Sequence, residues 1–144
     1  MSVTKVVHDV KVAVIYNPCF GSAWYSSDLC WINELLFDPK LVEIILHPSF
    51  KNMRYEGSTE YKYDEELDSK ICEYLNEVNN RKYIIPYGHW KGSIFQINNK
   101  NRIYKLDIKW IPVDKKFFIT QYDGSETVHV DDENDKDGIR WIKA

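Results

Sequence analysis

The residues best suited to chemistry cluster in Phe20-Gly21-Ser22-Ala23-Trp24-Tyr25-Ser26-Ser27, between an apolar run and a stretch of helical spacing. Tiny side chains let backbone approach a ligand, and free N–H groups at a helix start favour an anion. Trp24 and Tyr25 offer ring faces for stacking on a base. Phe20, Gly21, Ser22, Trp24, Tyr25 and Ser26 are therefore candidate contacts for a small phosphorylated or nucleotide-like ligand. Trp90, from the aromatic loop Pro86–Gly92, is expected to join them. The segment has neither the Gly-Lys-Ser/Thr of a P-loop nor dinucleotide glycine spacing. Its other reading is a structural turn with Trp24 anchored in the core.

A second group is Gln121-Tyr122-Asp123-Gly124-Ser125-Glu126. Asp-Gly is what a type I′ hairpin turn demands, and turn chemistry accounts for every residue except Glu126. The functional alternative has Asp123 and Glu126 hold a ribose hydroxyl or a metal. Glu133–Gly138 mimics the first half of a calcium loop, but the twelfth position falls on Ala144, so a solvated acidic turn is expected over 131–138 and no metal. The scattered histidines form no local triad. A small hydrolase built on Glu126 with His89 or His129 is one alternative, needing the side chains within hydrogen-bond reach. Non-enzymatic binding without a cofactor is the favoured reading.

These groups must be positioned by a single domain spanning 1–144. Residues 1–10 read as frayed or as an edge strand, and Lys11–Asn17 (KVAVIYN) as a central strand stopped by Pro18. A helix capped by Ser26 or Ser27 is predicted through Phe37, with Leu29, Ile32, Leu35 and Leu36 inward. Asp38-Pro39 restarts a helix that buries Leu41, Val42, Ile44 and Ile45 and ends at Pro48. Residues 48–63 lack a period and read as a long exposed loop. Asp64-Glu65-Glu66 opens a third helix with Leu67, Ile71, Tyr74, Leu75 and Val78 inward, closed by Asn79-Asn80. From Lys82 the period is two. Short strands are expected at Tyr83–Ile85 and Ile94–Ile97, then at Tyr104–Trp110, where Lys105, Asp107 and Lys109 give one wet face. Arg81, Lys82, Lys91 and the aromatics near them fit such a face better than a single-strand platform. Phe117–Tyr122 and Thr127–Val130 form a hairpin, and Ile139–Ile142 a last strand. The class is α+β: an early strand, two to three helices, then an antiparallel meander.

Composition narrows the setting. The chain has 144 residues, 44% hydrophobic and 15% aromatic, with a net charge of −3. Rings at this density argue against disorder, and a mildly acidic chain is not expected to bind duplex DNA. No run approaches the ~18 apolar residues of a membrane span, and no signal peptide is read at the N-terminus, so no membrane partner is expected. Three irregularly spaced cysteines read as reduced thiols in a cytoplasmic compartment. Lys, Ile, Asn and Tyr make about a third of the chain, a bias toward AT-rich codons.

Asn17–Ser26 (NPCFGSAWYS) followed by Glu34–Val42 (ELLFDPKLV) resembles the start of a family of small uncharacterised phage and bacterial proteins. Those carry a G-[FY]-G-x-G-W-[SY]-[ST] loop and an FDPxLVE helix. Trp110-Ile111-Pro112 and Phe117–Glu126 (FFITQYDGSE) resemble that family's C-terminal WVPxGxxFxIxEYDGSE. Pro18-Cys19 and Ala23 depart from it where it carries glycines. The resemblance implies a shared fold and a viral or mobile-element origin, in a host cytoplasm or a virion, and imports no activity. The expected function is thus a viral-type accessory protein binding a small nucleotide-like ligand, with a host signalling nucleotide as one such molecule. The principal alternative is a homo-oligomeric or host-protein interaction module, since Trp and Tyr favour interfaces.

Overall fold

The computed structural model describes residues 3–19, 24, 33–51, 64–81, 103–131 and 141–144. Strand β1 (Val7–His8), β2 (Lys11–Tyr16), helices α1 (Asn33–Phe37), α2 (Pro39–Ile45) and α3 (Glu65–Asn80), then β3 (Asp107–Pro112), β4 (Lys116–Tyr122), β5 (Ser125–Asp131) and β6 (Ile142–Lys143) follow in that order. They form two antiparallel three-stranded sheets, β1-β2-β3 and β5-β4-β6. The α+β class is therefore correct. Among the described residues no helix is long and apolar enough to cross a membrane.

Strand β2 is apolar without alternation because both its faces are covered, as a continuous apolar run requires. Ala13 and Ile15 join Leu41, Leu67, Ile71 and Tyr74 in the core under the helices. Val12 and Val14 meet Leu36, Phe37, Ile111, Phe117 and Ile142 in a second core beneath the other sheet. The expected wet face over Tyr104–Trp110 does not continue past it. Ile111 lies on the same side as exposed Lys109, yet it is fully buried because the second sheet closes over that end. The strand also starts later than expected, since Ile103 and Tyr104 are helical and Asp107 is the first paired residue.

Helices α2 and α3 follow their signals closely, while the expected start of the first helix at Ser26 or Ser27 lies outside the described residues. Asp38 caps α2 by accepting the Lys40 amide, with Pro39 in the first turn, where a missing N–H removes no bond. Helix α2 ends at Ile45 with Leu46 as C-cap, three residues before Pro48. Phe50, expected in an exposed loop, is buried in the first core; residues 52–63 lie outside the described set. Helix α3 buries Leu67, Ile71, Tyr74 and Val78, and its N-cap is Asp64. The Ser49 hydroxyl, then the Leu67 amide, hold the Asp64 carboxyl below its usual value of 3.8. A depressed carboxyl pKa contributes stability above that usual value and loses it as pH falls through the folded one. Thermal melts at pH 7 and pH 3 should therefore show a smaller acid-induced loss in Asp64→Asn than in wild type.

Two hairpins use the same tight turn with different residues. At Tyr122↔Ser125 the turn is Asp123 (φ 48°) and Gly124 (φ 84°), the expected Asp-Gly pair. At His8↔Lys11 it is Asp9 (φ 50°) and Val10 (φ 57°). A β-branched residue in left-handed backbone is strained by roughly 1–2 kcal/mol. Val10→Gly is accordingly expected to raise stability by about 1 kcal/mol in urea unfolding, part of the relief being offset by glycine's greater unfolded-state freedom.

Candidate functional site

The described residues between β2 and α1, 17–19 and Trp24, gather around a buried carboxylate. Asn17 ends the strand fully buried, and its side-chain oxygen accepts the Cys19 amide at 2.8 Å. Glu126, 2% exposed near the start of β5, accepts the amides of Asn17 (2.9 Å) and Trp24 (3.0 Å) on one carboxylate oxygen. Its own amide donates to the Asn17 carbonyl at 2.7 Å, and the Ser125 hydroxyl donates to the Pro18 carbonyl at 2.8 Å. Anion-favouring N–H groups do converge at this corner, and Glu126 supplies the anion from within. Trp24 is 1% exposed, its ring packed in the first core and its indole N–H donating to the Leu35 carbonyl at 3.1 Å.

The structure thus brings Trp24 and Glu126 together through backbone. It leaves Asp123 exposed at the hairpin turn and Glu126 buried. Phe20, Gly21, Ser22, Tyr25, Ser26 and Trp90 lie outside the described residues, as do His89 and the 132–138 turn. His129 is three positions from Glu126 on β5 and so faces the opposite side. There it meets the Thr120 hydroxyl oxygen at 2.8 Å and stacks on Phe118 at 4.7 Å. The Glu126–His129 pair that hydrolysis would need is not assembled. No group of three or more metal-ligating side chains occurs among the described residues.

A second polar centre, which the sequence reading missed, joins α2 to the end of α3. Buried Asp38 receives the Lys40 amide on one oxygen, and the Arg81 guanidinium (3.0 Å) and Tyr74 hydroxyl (3.3 Å) on the other. Arg81 also donates to Glu77 at 2.9 Å, and Lys40 bonds the other oxygen of Glu77. Lys40, and then Arg81, hold the Glu77 carboxyl below the usual carboxylate range. Beside this network opens a cleft of about 440 Å³ walled by Val3, Thr4, Glu34, Pro39, Lys40 and Arg81. The Glu77–Arg81 spacing of four is legible in sequence. The approach of Asp38 to Arg81, 43 positions apart, is a product of packing α2 on α3.

No family model matches the chain, and no curated protein or solved structure matches it either.

Proposed function

We propose that this protein is a non-enzymatic binder of a small phosphorylated, nucleotide-like ligand, received in the cleft beside α2. One observation carries the reading: Lys40 and Arg81, two cations from separate elements that wall the cleft, converge on the two oxygens of Glu77, a carboxylate on the neighbouring α2–α3 groove. Glu77 occupies the position of an oxyanion there, and a phosphate exchanging with it gains the same two donors. Its volume lies in the range of small-molecule sites. Thr4 and Glu34 supply a hydroxyl and an acceptor for the sugar or base. The self-satisfied corner at Glu126 supports this placement over one at the Trp24 loop. A phage-type origin and a cytoplasmic setting accompany the reading; the motif resemblance supports the first, and Cys72, exposed and outside any disulfide, supports the second.

The test is a thermal-shift panel of inorganic phosphate and nucleoside mono- and diphosphates. A ligand at a hundred times its dissociation constant adds ~2.7 kcal/mol, on the order of 8 °C for a chain of this size. Lys40→Glu should abolish the shift while leaving the fold intact, because an exposed pair contributes little stability. A flat panel, or a shift that survives Lys40→Glu, overturns the proposal.

A further inference from the structure

Arg81 divides its guanidinium between two carboxylates that differ in depth. Nη1 donates at 3.0 Å to Asp38, whose side chain is 3% exposed and which the Lys40 amide and the Tyr74 hydroxyl also hold. Nη2 donates at 2.9 Å to Glu77, whose side chain is 41% exposed. Asp38 is fixed as the cap of α2, whereas Glu77 can turn into water at little cost, because exposed ion pairs are weak. The fork is therefore pinned on one arm and exchangeable on the other. Lys40, itself well exposed, bonds the second oxygen of Glu77. It walls both the cleft and the α2–α3 groove that Glu77 also lines, and its flexible stem serves both.

Glu77 stands in the last turn of α3, where the helix dipole disfavours a carboxylate, so the two cations and not the helix hold its charge. Lys40 first and Arg81 second keep its carboxyl below the usual carboxylate range, as expected of a carboxylate resident on both donors. A resident anion weakens the binding of every incoming one by the same factor, since the donors are competent only while it is away. Weakly bound monoanions then fall out of reach. A phosphate dianion, with a second charge and further oxygens for the same donors, can still displace it.

We infer that Glu77 is a built-in competitor for the anion site, given the phosphate reading of the cleft on which this rests: an incoming phosphoryl group displaces it from Lys40 and Arg81 while Asp38 keeps the guanidinium in place. The contact is autoinhibitory, and it sets the affinity of the site.

Isothermal titration of the full chain with inorganic phosphate at pH 8 and low ionic strength tests it. Glu77→Gln keeps the length of the side chain, loses its charge and folds, since the pairs it gives up are exposed. It should bind phosphate about tenfold more tightly than wild type, as for a competitor resident roughly nine-tenths of the time. Glu73→Gln makes the same change of net charge on the same helix, at a residue of the groove that bonds neither cation, and should leave the affinity near that of wild type. If wild type binds phosphate and Glu77→Gln binds it no more tightly, or if Glu73→Gln tightens binding as much, the competitor role is overturned and the phosphate site stands. Phosphate bound by neither wild type nor Glu77→Gln overturns both.

Discussion

Trp24→Ala should lower the stability of this protein by about 4 kcal/mol, the range found for removing a buried tryptophan. The ring fills the core beneath α2 and α3, and its N–H is the donor to the Leu35 carbonyl. Truncation leaves both a cavity and an unpaired buried carbonyl. For a domain whose total stability is of order 5–15 kcal/mol, that is a large share. Urea unfolding should show a lower midpoint with an unchanged slope. Trp24→Phe, which keeps most of the volume and loses the donor, should recover the larger part. If Trp24 instead served chiefly to stack on a ligand, Trp24→Ala would unfold at the wild-type midpoint.

Glu126→Ala is expected to cost roughly 4 kcal/mol as well, by a different mechanism. Both amides that its carboxylate receives are buried, and each N–H stranded without an acceptor costs about 1–3 kcal/mol. Glu126→Gln separates the two contributions of that side chain. It keeps a carbonyl oxygen for the same donors and loses only the charge assistance, so its loss should be nearer 1 kcal/mol. Equal losses for the two variants would show that charge, and not acceptance, secures the corner. Trp24 and Glu126 share a hydrogen bond, so their effects should combine non-additively in a double-mutant cycle.

Local signals carried the fold a long way. Asp38-Pro39, Asp64-Glu65-Glu66 and Asp123-Gly124 each encode their own cap or turn, and each forms as written. The β1–β2 hairpin was illegible because its turn breaks the rule by which such turns are recognised, placing Val10 where glycine is expected. The second core was illegible for another reason. The alternation of Tyr104–Trp110 describes one face of a strand, and only the arrival of Phe117 and Ile142 from elsewhere buries Ile111 on the other. Glu126 stood out correctly as the residue turn chemistry could not explain. Its role depends on Asn17 and Trp24, more than a hundred positions away, which no spacing within the hairpin reveals. The cation pair at Glu77 was hidden likewise, since Lys40 and Arg81 meet only when α2 lies against α3.

Asn17 and Trp24 close upon the Glu126 carboxylate, and the proposed ligand is received instead at the Lys40–Arg81 edge. An NMR titration of isotope-labelled protein with ADP addresses both halves at once, because the Trp24 indole N–H and the Arg81 side-chain N–H give resolvable signals. Saturable shifts are expected at Arg81, Lys40 and Glu34 with the Trp24 indole unmoved. Shifts centred on Trp24 and the Gly21–Ser26 loop, with Arg81 silent, would contradict it.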